Sequence, residues 1–222
     1  MIGYLETHPS VGAVTAKLLN PDSSTQYYYH RKFPNFFSFV ASVLEHYLKI
    51  NTPLANNFFM RNQKFEKETE IDQAAGTVLL LKKDIIKNIG GLFDEHFPLF
   101  FNDTDLCLRI KKAKFKLILL PHVKVIHYRG QSTNLLNPYV LREELFVSML
   151  YYFKKHKQFF SYILAKISLL ILLSLLLLAT IAGFYKNYLG TPIKSKNQSL
   201  INQLKILKTI FFEKRQISPF LN

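Results

Sequence analysis

Four carboxylates, two glycines and an arginine crowd into residues 90–109, GGLFDEHFPLFFNDTDLCLR. Carboxylates set among aromatics can take up a proton, and an arginine can hold an anion. The stretch is too irregular for one helix or one strand, and it lies between two regular patterns. It reads as an active-site loop. A second group follows at His127-Tyr128-Arg129-Gly130-Gln131-Ser132. A histidine at a strand end ahead of glycine and serine either presents a ring nitrogen to a metal or phosphate or is an ordinary surface histidine. Cys107 is the only cysteine, which excludes an intramolecular disulfide and a cysteine-built zinc site and suits a reducing compartment.

The elements that must position these groups follow from pattern. Residues 1–9 look like the last turns of a helix stopped by Pro9, and Val11–Leu19 is a buried strand closed by the turn Asn20-Pro21-Asp22-Ser23. Residues 26–49 are rich in aromatics, with Pro34 and Asn35 ahead of an apolar helix. Beside Arg31 and Lys32 that helix either grips a lipid-linked substrate or packs a core. The polar residues 51–68 read as a surface loop. Asp72-Gln73-Ala74-Ala75-Gly76 leads into TVLLL, a buried strand, and residues 83–89 form a short helix closed by Gly90. The small residues 74–76 either leave room for a substrate or pack tightly.

Residues 104–112 carry Leu106 and Ile110 at helical spacing, with Asn102 as the expected N-cap. In that helix's first turn Asp103 and Asp105 either complement the dipole with no further role or serve the active-site loop. Residues 116–120 and 123–127 read as two short strands separated by Pro121-His122, and residues 138–157 as an amphipathic helix.

The chain has 222 residues, long enough to bury a core, and Lys+Arg 29 against Asp+Glu 15 gives a net charge of +14. Residues 163–184, ILAKISLLILLSLLLLATIAGF, carry only Lys166 as a charge and read as a membrane helix with Tyr162 and Tyr185 at its ends. Lysines flank both ends, so the positive-inside rule leaves topology open. The N-terminus lacks the basic start and apolar run of a signal peptide. In the tail, Leu200, Leu204, Leu207 and Phe211 recur at i, i+4, i+7 and i+11 among lysines, as in a membrane-surface helix or one packed on a partner. The basic residues gather near the membrane segment and tail, which favours lipid head groups over nucleic acid.

Taken in order, the small-residue strand, GG-x-FDE-x-F, the aromatic run, the D-x-D-L-x-x-R helix and H-x-x-G-x-S resemble the C-terminal half of the catalytic domain of family 2 glycosyltransferases. The likeness is to the bacterial, rhamnosyltransferase-like branch, and it covers roughly residues 1–157. It implies an α/β, GT-A-type nucleotide-sugar-transferase domain, incomplete here, in residues 1–157. A transmembrane helix in residues 162–185 and a basic amphipathic tail in 186–222 complete the expected organisation.

The resemblance implies an inverting transferase in which one carboxylate takes the proton of the attacking acceptor hydroxyl. That base maps to Asp103, with Asn102 where the family usually has Glu. Gly76, Asp94, Glu95, Asp105 and Arg109 match positions on the acceptor or substrate side. His127 and Arg129 match positions that serve the metal or diphosphate. A divalent metal (Mg or Mn) is expected for the family, yet its principal metal-binding D-x-D and the strands that hold the nucleotide are not found before Val11. The chain is therefore read as an N-terminally truncated member, at the cytoplasmic face of a bacterial inner membrane. Its expected partners are a nucleotide sugar, a lipid-linked or glycan acceptor and membrane lipids. The alternative is a non-catalytic, membrane-bound interaction module.

Overall fold

A computed structural model describes residues 1–128, 130–131, 133–182 and 196–212. The chain divides into two units, one of Met1–Phe97 with Phe101–Gln131, the other of Pro98–Phe100 with Ser132–Asn222.

The first unit is mixed α/β. A short helix α1 (Ile2–Thr7) leads into strand β1 (Val11–Leu19). β1 is buried along nearly its whole length, as its run of small and β-branched residues requires. Two two-residue strands, β2 (His30–Arg31) and β4 (Gln73–Ala74), pair antiparallel as a ribbon. The main sheet runs β3-β6-β1-β5, with β3 at Thr69–Glu70, β5 at Leu79–Leu81 and β6 at Lys116–Ile126. β1 and β6 are parallel, while β5 and β3 flank them antiparallel.

Both faces of this sheet are covered. On one, Ala13, Leu117 and Leu119 pack with Ile85 of helix α4 (Ile85–Asn88), Ile89 at its C-cap, and Leu106, Cys107 and Ile110 of α5 (Asn102–Lys112). On the other, Val14, Ile118 and Leu120 pack with Leu5 of α1. The helix expected after Pro34 is α2 (Phe36–Leu48), and Asn35 forms a full capping box with Ser38.

Four expectations need correction. Residues 51–68 are not simply a surface loop. Thr52 caps a helix, α3 (Pro53–Phe58), and Ala55, Phe58, Phe59, Met60 and Phe65 are buried. TVLLL is not one buried strand: Gly76–Val78 make a 3-10 turn, and the strand that follows is half-buried at the sheet edge. The two strands expected around Pro121-His122 are one strand. Its register against β1 jumps from Ala16↔Leu120 to Lys17↔Lys124, so the proline's missing N–H falls in an irregularity of the ladder. Asn102 is not the cap of α5 but its first residue, and Phe101 holds the cap position.

Gly90 closes α4 as expected. With φ of +76° it allows Gly91 N–H to reach back to the Ile86 carbonyl at 2.9 Å, a Schellman closure.

The second unit contains helices α6 (Pro138–Lys155), α7 (Phe159–Ile181) and α8 (Lys196–Phe212). α7 is long and apolar enough to cross a membrane, and it begins and ends earlier than the segment expected from hydropathy. Tyr185 and the basic residues Lys186, Lys194, Lys214 and Arg215 lie outside the described residues. Of the expected apolar stripe of α8, Leu204 and Phe211 are exposed, and Leu200 and Leu207 half-buried. Ser199, Gln203, Ile206 and Ile210 are buried.

Candidate active site

Asp103 sits in the first turn of α5, half-buried. Its Oδ1 accepts from the Thr104 backbone N–H at 2.7 Å and from the Thr104 hydroxyl at 3.3 Å. Its Oδ2 accepts from the Gly76 N–H at 3.4 Å. Both oxygens are thus held, and the N-terminal end of a helix favours their negative charge. Gly76 approaches closely: a Cβ added there would lie 3.8 Å from the Asp103 Cβ, in ordinary contact. What Gly76 contributes is an exposed main-chain donor at the carboxylate.

Behind Asp103 lies a polar chain that no local pattern reveals. Gln73 and Thr104 are both 1% exposed. The Gln73 amide, oriented to satisfy its neighbours, accepts from Arg31 Nη2 and Nε at 2.6 and 3.1 Å and meets the Thr104 hydroxyl at 3.2 Å. Arg31 and Gln73 face each other across the β2–β4 ribbon, so a two-residue pairing carries a cation to the rear of the carboxylate. The only hints in the sequence are a glutamine beside the small residues Ala74, Ala75 and Gly76 and a basic Arg31-Lys32 pair upstream.

Asp105 and Arg109 do a different job. Asp105 is fully buried, and its Oδ2 pairs with Arg109 Nε at 2.8 Å. Arg109 also donates through Nη1 to the carbonyls of Ile89 and Gly91, both at 2.6 Å, and through Nη2 to that of Leu92 at 2.8 Å. The D-x-x-x-R spacing, one helical turn, therefore fastens the glycine loop to α5. Asp94 closes its own turn: Oδ1 accepts from the His96 backbone N–H at 2.9 Å and lies 2.8 Å from His96 Nδ1. Glu95 is exposed on the same turn. Phe101, just before Asp103, is held at φ of 66°, a left-handed conformation costing a bulky residue roughly 1–2 kcal/mol.

His127 belongs to another cluster. Gln26 Nε2 donates to the His127 carbonyl at 2.7 Å, so Gln26 Oε1, 3.0 Å from Nδ1, is an acceptor. The ring consequently donates from Nδ1, which makes Nε2 the acceptor nitrogen of the neutral ring. Tyr29 stands edge-on at 4.9 Å between centroids. Arg129 lies outside the described residues. Among the described residues no three His, Cys, Asp or Glu side chains gather as ligands for a metal ion, so no step below runs through one.

The chemistry available is that of a carboxylate held at a helix start by main-chain and hydroxyl donors, with an exposed glycine N–H beside it. That is a proton acceptor of fixed orientation.

No protein-family model matches the chain, and no solved structure does. Among curated proteins it is similar to the rhamnosyltransferase WbbL of Escherichia coli, 26% identical over 127 residues, which are 57% of this chain and 45% of that protein. It is also similar to an N-acetylglucosaminyl-diphospho-decaprenol L-rhamnosyltransferase of Mycobacterium tuberculosis, 30% identical over 74 residues, 33% of this chain and 24% of the relative. A third, the uncharacterized protein y4gI of Sinorhizobium fredii, is 25% identical over 128 residues, 58% of this chain and 13% of its own length. The chain spans less than half the length of the curated relatives it matches. Two of these three carry glycosyltransferase names, and the relationship at this identity is to glycosyltransferases at a coarse level.

Proposed function

We propose that the chain is the acceptor-side part of an inverting glycosyltransferase of family 2 that builds cell-envelope glycan. The donor is a nucleotide sugar, with activated rhamnose the first candidate from the names of the relatives. The acceptor is a lipid-linked or polysaccharide hydroxyl, for which a polyprenyl-diphosphate-linked N-acetylglucosamine is the first to try. The second unit attaches the chain to a bacterial inner membrane, with Asp103 on the cytoplasmic side.

In this reading Asp103 takes the proton of the acceptor hydroxyl as its oxygen bonds to the anomeric carbon and the bond to the nucleotide diphosphate breaks. Gly76 N–H and Thr104 fix which carboxylate lone pair faces the hydroxyl. Arg31, through Gln73, fixes Thr104. Asp94 and Glu95 on the anchored loop shape the acceptor side, and His127 and Arg129 serve the departing diphosphate. The observation that carries the reading is the doubly held Asp103 carboxylate backed by the buried Gln73 amide.

The test is transfer of labelled sugar from a panel of nucleotide donors to a polyprenyl-diphosphate glycan. Asp103→Asn should lower the rate by roughly 10²–10⁴-fold, the usual contribution of a general base. No transfer from any donor, or an unchanged rate in Asp103→Asn, would reject the proposal. The apolar helix α7, long enough to cross a membrane, also suits a second reading, a membrane-bound interaction module without catalysis. Saturable binding of a glycan-assembly protein, with no donor binding in calorimetry, would establish it.

A further inference from the structure

The three helices of the second unit impose a constraint on one another that hydropathy does not show. Inside the unit, Gln203 of α8 donates to the Thr180 hydroxyl of α7 at 3.0 Å and to the Ser199 hydroxyl at 3.2 Å. Two turns on, Thr209 of α8 donates to Glu143 of α6 at 2.6 Å. Gln203 and Thr209 are ~9 Å apart along a helix. Glu143 must therefore lie near the C-terminal part of α7, although α7 begins at the other end of α6. α6 and α7 are an antiparallel pair, and α8 bridges them.

This arrangement sets charges beside the middle of α7. Glu143 is only ~18 Å along α6 from the turn into α7, well short of the ~30 Å of a bilayer's hydrocarbon core. If α7 crossed a membrane end to end, Arg142, Glu143 and Glu144 of α6 would lie within the hydrocarbon, together with Lys205 and Lys208 of α8. Charged residues are disfavoured at that depth. α6 offers only nine uncharged residues, LFVSMLYYF, between Glu144 and Lys154.

The outward surface has a different character. On α7 the exposed residues include Leu164, Ile167, Ile171, Leu175, Leu178 and Ile181, a single stripe at helical spacing. The opposite side, Ala165, Leu169, Leu173 and Thr180, is buried. On α8, Ile201, Leu204, Phe211 and Phe212 are exposed, with Lys205 and Lys208 among them and no acidic residue in the helix. An apolar stripe edged by lysines on a polar-centred bundle matches a hydrocarbon boundary faced by anionic head groups.

We propose that the second unit binds one leaflet of an anionic bilayer, with α7 lying along the interface and not crossing it. The outward stripe of α7 dips into the acyl boundary, and Lys205 and Lys208 reach phospholipid phosphates. This rests on the membrane attachment proposed above and is independent of the transfer chemistry.

The full chain contains no tryptophan, and its one cysteine is buried, so single introduced residues report against a silent background. Bound to preformed vesicles of three parts phosphatidylcholine to one part phosphatidylglycerol, Ile171→Trp and Leu204→Trp should both be quenched most by lipids brominated near the head group. Lys157→Cys and Asn197→Cys, on either side of α7, should both react with an impermeant maleimide added outside. The double variant Lys205→Glu/Lys208→Glu should bind these vesicles at least tenfold more weakly. Deepest quenching of Ile171→Trp at the acyl ends would overturn the proposal, as would protection of one cysteine until the vesicles are lysed. Failure of the full chain to bind vesicles would also overturn it, while leaving the effect of Asp103→Asn on transfer as the separate test of function.

Discussion

Arg109 shows how much one side chain settles at this site. It neutralises the fully buried Asp105 and ties the carbonyls of Ile89, Gly91 and Leu92 to α5. Arg109→Ala strands a buried carboxylate and should cost about 3–5 kcal/mol in urea unfolding, as expected when one partner of a buried pair is removed. Arg109→Lys keeps the charge but loses the fork, so it should recover only part of that loss. His30 supplies a second prediction. Its ring is fully buried against Phe65 at 5.5 Å, neither nitrogen has a hydrogen-bond partner among the described residues, and burial lowers its pKa from 6.5 to about 4. The unfolded chain therefore takes up a proton that the folded chain refuses. Stability should fall as pH drops from about 6.5 toward 4, by up to about 3 kcal/mol, and the slope should flatten in His30→Phe. A pH-independent unfolding midpoint over this range would show that the ring finds a proton acceptor in the fold.

Among the elements, β1 carries the tightest demand. Gly12 has no room for a methyl group: an added Cβ would stand 2.7 Å from the Phe115 Cβ and 2.9 Å from the Ile85 Cδ1. Gly12→Ala should therefore lose about 1–3 kcal/mol, read from the thermal midpoint, because α4 and the α5–β6 turn must shift to admit it. The same strand was readable from sequence alone, since six small or β-branched residues followed by Lys-Leu-Leu and the turn Asn-Pro-Asp allow little else. α2 was readable from Asn35 and the apolar run behind it, and α4 from Gly90. The ribbon of β2 and β4 was not, because two residues have no periodicity, and with it went the Arg31–Gln73–Thr104 chain behind Asp103. The polar composition of 51–68 hid α3, whose buried residues are spread among charged ones. The role of Asp105 was hidden for another reason: an acidic residue in a first helical turn looks alike whether it faces solvent or an arginine.

At the scale of the whole chain the charge of +14 selects among anionic partners without naming one. Lys205 and Lys208 of α8 share a face with exposed leucine, isoleucine and phenylalanine, a pairing that suits lipid and offers a DNA groove little. Duplex DNA in excess should therefore fail to displace the full chain from phosphatidylglycerol vesicles in flotation. Raising salt from 0.1 to 0.5 M should weaken binding without abolishing it, because the apolar stripe is indifferent to screening. Complete displacement by DNA would reverse that assignment. Hydropathy identified the apolar helix but not its setting, since the depth of Glu143 depends on the fold of three helices together and on no window of residues.

The anchoring of the glycine loop has one more consequence. Arg109 grips Ile89, Gly91 and Leu92 by their carbonyls, which every amino acid possesses. The clasp is blind to side chains. Leu92, Phe93 and Glu95, all exposed beyond it, can be exchanged freely without loosening the loop's attachment. A library confined to those three positions would vary the exposed surface of the loop over a constant frame, leaving Asp103 and its donors as they are.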